Sequence, residues 1–165
     1  MQGNTVSVER VIKAPAASIF ALIADAGKHS SFDGSGTVDH SKQPSQPLSA
    51  GAKFGMSMRG RPETLFLPYR TTNTVIEFEP DHRIAWKTTT GPLGLIGGRI
   101  WRYELEPIGA EESATLGSEG GTLVRETWDV SEDRQRPMLK MGSMPQQAED
   151  GMRATLERIA AVLES

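Results

Sequence analysis

Three stretches of this chain place a large apolar side chain at every second position and polar or charged residues between them. Ile84, Trp86 and Thr88 oppose Arg83, Ala85 and Lys87. Trp101, Tyr103 and Leu105 oppose Arg102, Glu104 and Glu106, and Val124, Glu126, Trp128 and Val130 oppose Leu123, Arg125, Thr127 and Asp129. A period of two puts each set on one face of a β-strand, and a sheet with one apolar face must bury it against another element. Weaker versions of the pattern run through Val6, Val8 and Ile12, through Phe54, Met56 and Met58, and from Tyr69 to Glu79, where Ile76 and Phe78 are read onto one face. Thr37 to Ser41 is read as a further extended segment.

The covering element is found at the end of the chain. After Pro145, the residues Ala148, Met152, Leu156, Ile159 and Leu163 recur at spacings of three and four, the stripe of a long amphipathic helix. Ile19, Phe20, Ile23 and Ala24 share one face of a shorter helix that follows Pro15, and a second short helix is expected over Lys28 to Phe32. Gly60-Arg61-Pro62 is read as a turn and Glu111 to Gly121 as a polar loop. The fold class is therefore α+β: a curved antiparallel sheet of about seven strands around the C-terminal helix, with two short helices after the first strand. All 165 residues are read as one domain, a length that buries roughly 70% of its unfolded surface. A strongly curved sheet with a helix across its concave side tends to enclose more space than side chains fill, so an internal cavity is expected.

Several function classes are excluded. Lys and Arg total 18 against 21 for Asp and Glu, with no basic cluster, so no nucleic-acid partner is expected. No apolar run reaches the roughly 18 to 20 residues of a membrane span, and Met1-Gln2-Gly3-Asn4 lacks a signal-peptide profile, so a cytoplasmic location is expected. There is no cysteine, and His29, His40 and His82 show no metal-ligand spacing, so neither a metal nor a cofactor is expected.

The order of these elements, and the stretches VERVIKAPAASIFALIAD, EFEPDHRIAWKT, GGTLVRETWDVS and MRATLERIAAVLES, resemble the START-like (SRPBCC) superfamily. The narrower resemblance is to the polyketide cyclase/dehydrase and lipid transport family, relatives of the birch pollen allergen. It implies a helix-grip fold around a hydrophobic pocket, and the binding or carriage of a small hydrophobic ligand such as a lipid, fatty acid or polyketide. Two alternatives stay open: an enzyme of cyclase, aromatase or dehydratase type, and a module whose apolar mouth docks a protein. The family has no universal catalytic motif, so no catalytic residue is carried over by position.

The inward parity nominates Phe54, Met56, Met58, Ile76, Phe78, Trp86, Trp101, Tyr103 and Trp128 as ligand-lining, with Met141 and Met152 from the C-terminal helix region as adaptable thioethers. Arg99 and Thr88 share that parity, and Arg70, Thr72 and Thr74 are further polar candidates for the pocket. Arg10 and Glu126 fall on the inward face too. A buried lone charge costs several kcal/mol, so an Arg10–Glu126 pair or a polar ligand contact is expected. For proton chemistry the candidates are Glu126, Tyr103 and His29, the last four residues from Asp33 and so placed to face it. Leu93, Leu95 and Ile96, in a glycine-rich stretch, are read as an apolar flap at the cavity mouth.

Overall fold

The computed structural model describes residues 1–38, 44–59, 67–109 and 121–164. Among these, six strands form one sheet: β1 (Thr5–Ile12), β2 (Lys53–Met58), β3 (Tyr69–Glu79), β4 (Arg83–Thr90), β5 (Ile96–Ile108) and β6 (Gly121–Asp129). They lie in the order β1-β6-β5-β4-β3-β2, every neighbouring pair antiparallel. The described part of the expected extension from Thr37 to Ser41 contributes one isolated bridge, Val38 to Met58, and the described sheet has six strands where about seven were expected. The start of that extension is bent by Asp33, whose carboxylate collects the backbone N–H groups of Ser35, Gly36 and Val38. Residues 39–41 of that segment, His40 among them, the Gly60-Arg61-Pro62 turn and positions 111–120 of the polar loop lie outside the described residues.

Two short helices follow β1. Helix α1 (Ala16–Ile23) begins directly after Pro15, and a 3-10 turn at Ala26–Lys28 leads into α2 (His29–Phe32). A four-residue α3 (Arg136–Leu139) precedes α4 (Met144–Leu163), which has Pro145 in its first turn and buries Met152, Thr155, Leu156, Ile159 and Ala160. Helix α4 crosses the β1–β6 side of the sheet and also touches α1 and α2. Ile12, Ile19, Ile23, Ile84, Val124, Leu156 and Ile159 are buried where these layers meet.

The segment after α2 is clamped onto α4. Gly34 N–H donates to Thr155 Oγ1 at 2.9 Å, the Arg158 guanidinium donates to the Asp33 carbonyl, and a Cβ built on Gly34 would stand 2.2 Å from the Thr155 backbone nitrogen. Only glycine permits this approach.

One irregularity changes which side chains of β3 face inward. The β3–β4 register slips between Val75 and Glu77, so two residues of β3 oppose one of β4. Before the bulge the odd positions Thr71, Asn73 and Val75 are buried; at the bulge Ile76 turns outward with 46% exposure. The assignment of Ile76 to the inner face, and of Arg70, Thr72 and Thr74 with it, is therefore corrected. Arg10 does not pair with Glu126 either. It lies on the edge strand β1 opposite Val124 and is exposed, so its charge stays in water, while Val8 is the residue across from Glu126.

Candidate functional site

Between the inner sheet face, α2 and α4 lies a cavity of about 130 Å³. Strands β2, β4 and β5 contribute Met56, Met58, Trp86, Trp101 and Tyr103; β6 contributes Glu126, β3 contributes Thr71 and Asn73, and α4 contributes Ala148, Gly151, Met152 and Thr155. His29 and Phe32 from α2, and the Asp33–Val38 segment, complete the wall. His29, Phe32, Asn73, Tyr103, Glu126 and Met152 are buried at the inner end, whereas Thr37, Met58 and Gln147 keep solvent exposure and mark the mouth.

The cavity thus brings together nine of the predicted site residues: His29, Met56, Met58, Trp86, Thr88, Trp101, Tyr103, Glu126 and Met152. Phe54 stands one layer behind, packing its ring edge-on against Trp86 and His29. Phe78 packs against Phe20 instead of the cavity, and Trp128 is buried without bordering it. Arg99 is turned away by an unforeseen partner: its Nε donates at 3.1 Å to Asp133, a fully buried carboxylate just beyond β6. Met141 lies in the turn between α3 and α4, is 69% exposed and does not border the cavity. The apolar Leu93, Leu95 and Ile96 are exposed, but none borders the cavity.

Tyr103 and Glu126 are opposite one another in the β5–β6 register, and the Tyr103 hydroxyl donates to Glu126 Oε1 at 2.7 Å. Burial outweighs that hydrogen bond and, with a smaller push from the Asp33 charge, drives the Glu126 carboxyl up to about 8. Burial, then the neighbouring Glu126, raises the Tyr103 hydroxyl well above its ordinary value, so it stays a neutral donor. Glu126 is therefore predominantly a protonated acid at neutral pH.

His29 is held differently from the expectation. Its Nε2 lies 2.7 Å from the Ile23 carbonyl oxygen, its ring stacks on Trp86 with centroids 5.0 Å apart, and Phe32 and Phe54 approach it edge-on. Burial pushes its pKa down to about 4, leaving it neutral. No hydrogen bond joins it to the Asp33 carboxylate, which accepts from Ser35, Gly36 and Val38.

Thr71 and Asn73 were not foreseen, because the bulge hides their parity. Asn73 is 1% exposed; it accepts from Thr88 Oγ1 at 2.6 Å and donates to the Phe54 carbonyl, tying three strands together beneath the cavity. Gly151 and Thr155 also escaped notice, since an apolar stripe is sought by its large residues and these line the wall through smallness and a hydroxyl. Among the described residues no cluster of three His, Asp or Glu is placed to hold a metal ion, and no helix is long and apolar enough to cross a membrane.

The architecture has close counterparts. NE0264 from Nitrosomonas europaea superposes with a TM-score of 0.66 at 13% identity over 99% of this chain and 97% of its own. CV1439 from Chromobacterium violaceum gives 0.61 at 16% identity over 98% of both chains. At such identities the likeness is one of fold. In sequence, the uncharacterized protein Rv0088 of Mycobacterium tuberculosis is 38% identical over 119 residues, which are 72% of this chain and 44% of that protein; this chain spans less than half the length of that relative. The sheet gripping α4, and a family match running from residue 4 to residue 164, identify the chain as a member of the polyketide cyclase/dehydrase and lipid transport family.

Proposed function

We propose that this chain binds a small, predominantly apolar molecule in the cavity between the sheet and α4, with the ligand's polar end toward Glu126. The observation that carries this reading is the cavity itself. Protein interiors are close-packed, whereas about 130 Å³ among Trp86, Trp101, Met56 and Met152 is left without side chains. An apolar occupant would take this wall out of water, at roughly 25 cal/mol per Å² of apolar surface covered.

The size also limits the ligand. Cavities of about 150 Å³ accept a single benzene ring, whereas drug-sized ligands occupy roughly 300–1,000 Å³. One ring, or a short stretch of chain, fits inside; a fatty acid or an extended polyketide would have to project through the mouth between Thr37, Met58 and Gln147.

A second reading is favoured by one specific group. A carboxylic acid driven up to about 8 at the wall of an apolar cavity is suited to give a proton to a bound oxygen near neutral pH, as a cyclase or dehydratase requires. Native mass spectrometry of freshly purified protein, followed by organic extraction, tests the first reading: a stoichiometric apolar adduct supports it, and its persistence unchanged on prolonged incubation distinguishes carriage from turnover.

A further inference from the structure

Three buried side-chain polar atoms have no hydrogen-bond partner among the described residues: Glu126 Oε2, His29 Nδ1 and Thr71 Oγ1. All three belong to residues that line this one cavity. A buried polar atom left unpaired costs about 1–3 kcal/mol, so three around one cavity amount to a pattern for what fills it.

The chemistry of two of them is fixed by their other contacts. The Ile23 carbonyl can only accept, so His29 Nε2 carries the proton and Nδ1 presents a bare lone pair, an acceptor. Tyr103 donates to Glu126 Oε1, so the proton of the neutral acid sits on Oε2, a donor. Trp86 ties the two together, its ring lying against both His29 and Tyr103. Thr71 Oγ1 rotates to serve as either and selects nothing. Charge narrows the class further. Among the described residues no Lys or Arg lines the cavity, so an anion finds no counter-charge from them, and the Asp33 carboxylate is already engaged.

We infer that Glu126 and His29 are the specificity-determining pair of this cavity, and that they select an uncharged ring compound bearing both a carbonyl and a hydroxyl, the carbonyl accepting from Glu126 Oε2 and the hydroxyl donating to His29 Nδ1. The inference rests on the reading of the cavity as a binding site and adds the class of its occupant. It also makes binding pH-dependent, because ionised Glu126 repels a carbonyl oxygen. The groups around Glu126 are the Tyr103 hydroxyl from β5, neutral His29 from α2 and Asp33 beyond it; α4 presents Met152 and Thr155, β1 presents Val8, and Arg10 is exposed.

The test is calorimetric titration of the full chain at pH 7 with one ring in different dress: 3- and 4-hydroxycyclohexanone, cyclohexanone, cyclohexanol, cyclohexane, cyclohexanecarboxylate and cyclohexylamine. One hydroxycyclohexanone is expected to bind about tenfold tighter than either cyclohexanone or cyclohexanol, with the carboxylate weakest. Its affinity should fall about tenfold between pH 7 and pH 9, and Glu126→Gln, which keeps a donor but cannot ionise, should abolish that fall. If cyclohexane binds while the hydroxyketones gain nothing over cyclohexanone, or if cyclohexylamine binds tightest, the inference is overturned and the binding-site reading stands. If no member of the series binds, the reading of the cavity fails with it.

Discussion

The Tyr103 hydroxyl donates to one oxygen of the Glu126 carboxyl at 2.7 Å, while the other oxygen is buried with no hydrogen-bond partner among the described residues, in the wall of an apolar cavity. A carboxyl so placed keeps its proton through neutral pH, and most of what can be tested here follows from that.

The first consequence is for stability. Native Glu126 titrates near 8 and an ordinary glutamate near 4.5, so between those values the folded chain holds a proton that the unfolded chain has released, and stability falls as pH rises. His29 acts in the opposite sense between about 4 and 6.5, where lowering the pH charges the unfolded imidazole first. The window from 6.5 to 8 therefore isolates Glu126. Relative to Glu126→Gln, the wild type should lose about 2 kcal/mol across it, measured by urea unfolding at several pH values. Parallel profiles for the two proteins would contradict the assignment.

Tyr103→Phe removes the donor that partly restrains this shift. Glu126 should then titrate above 8, followed by the carboxyl carbon in NMR, and the fold should lose about 1–3 kcal/mol because a second buried oxygen is left unpaired. A downward move of the Glu126 titration would mean the hydroxyl does not donate.

Trp101 and Trp128 face each other across β5 and β6, yet only Trp101 borders the cavity. Trp128→Ala should cost about 3–5 kcal/mol of stability, the penalty for emptying a packed core position. Trp101→Ala, at a half-buried position, should cost less in folding and more in affinity for a fluorescent apolar probe. Equal losses in both quantities for both variants would erase the distinction between lining and core.

Gly34→Ala should loosen the wall of the cavity, because a methyl group there cannot coexist with the α4 backbone at Thr155. Destabilisation together with faster hydrogen exchange at the Gly34 and Ser35 amides is the expected result; an unperturbed variant would show that the clamp is not tight.

How legible all this was in the sequence depended on the continuity of each strand. Glu126 could be placed inward because β6 pairs without interruption against both β1 and β5, so the parity set by Val124 and Trp128 carries through. On β3 the bulge at Ile76 inverts the faces, and a run of Thr, Asn and Thr offers no apolar alternation to reveal it; Asn73 was lost and Ile76 gained by the same one-residue slip. Arg99 has the right parity, but Asp133, 34 positions away, takes its charge, a pairing that no local pattern encodes. The position of His29 after α1 was readable, whereas its stacking on Trp86 depends on how α2 packs across the sheet.

The central claim is that the cavity takes up a small apolar molecule, and the methionine methyl groups report on it directly. Met56, Met58 and Met152 line the cavity, while Met1, Met138 and Met141 are exposed to solvent. In carbon–proton NMR spectra of methionine-methyl-labelled protein titrated with benzene, the first three signals should shift together along one saturable curve while the exposed three stay in place. Shifts confined to Met138 and Met141, or no saturable shift at Met56 and Met152, would contradict the account.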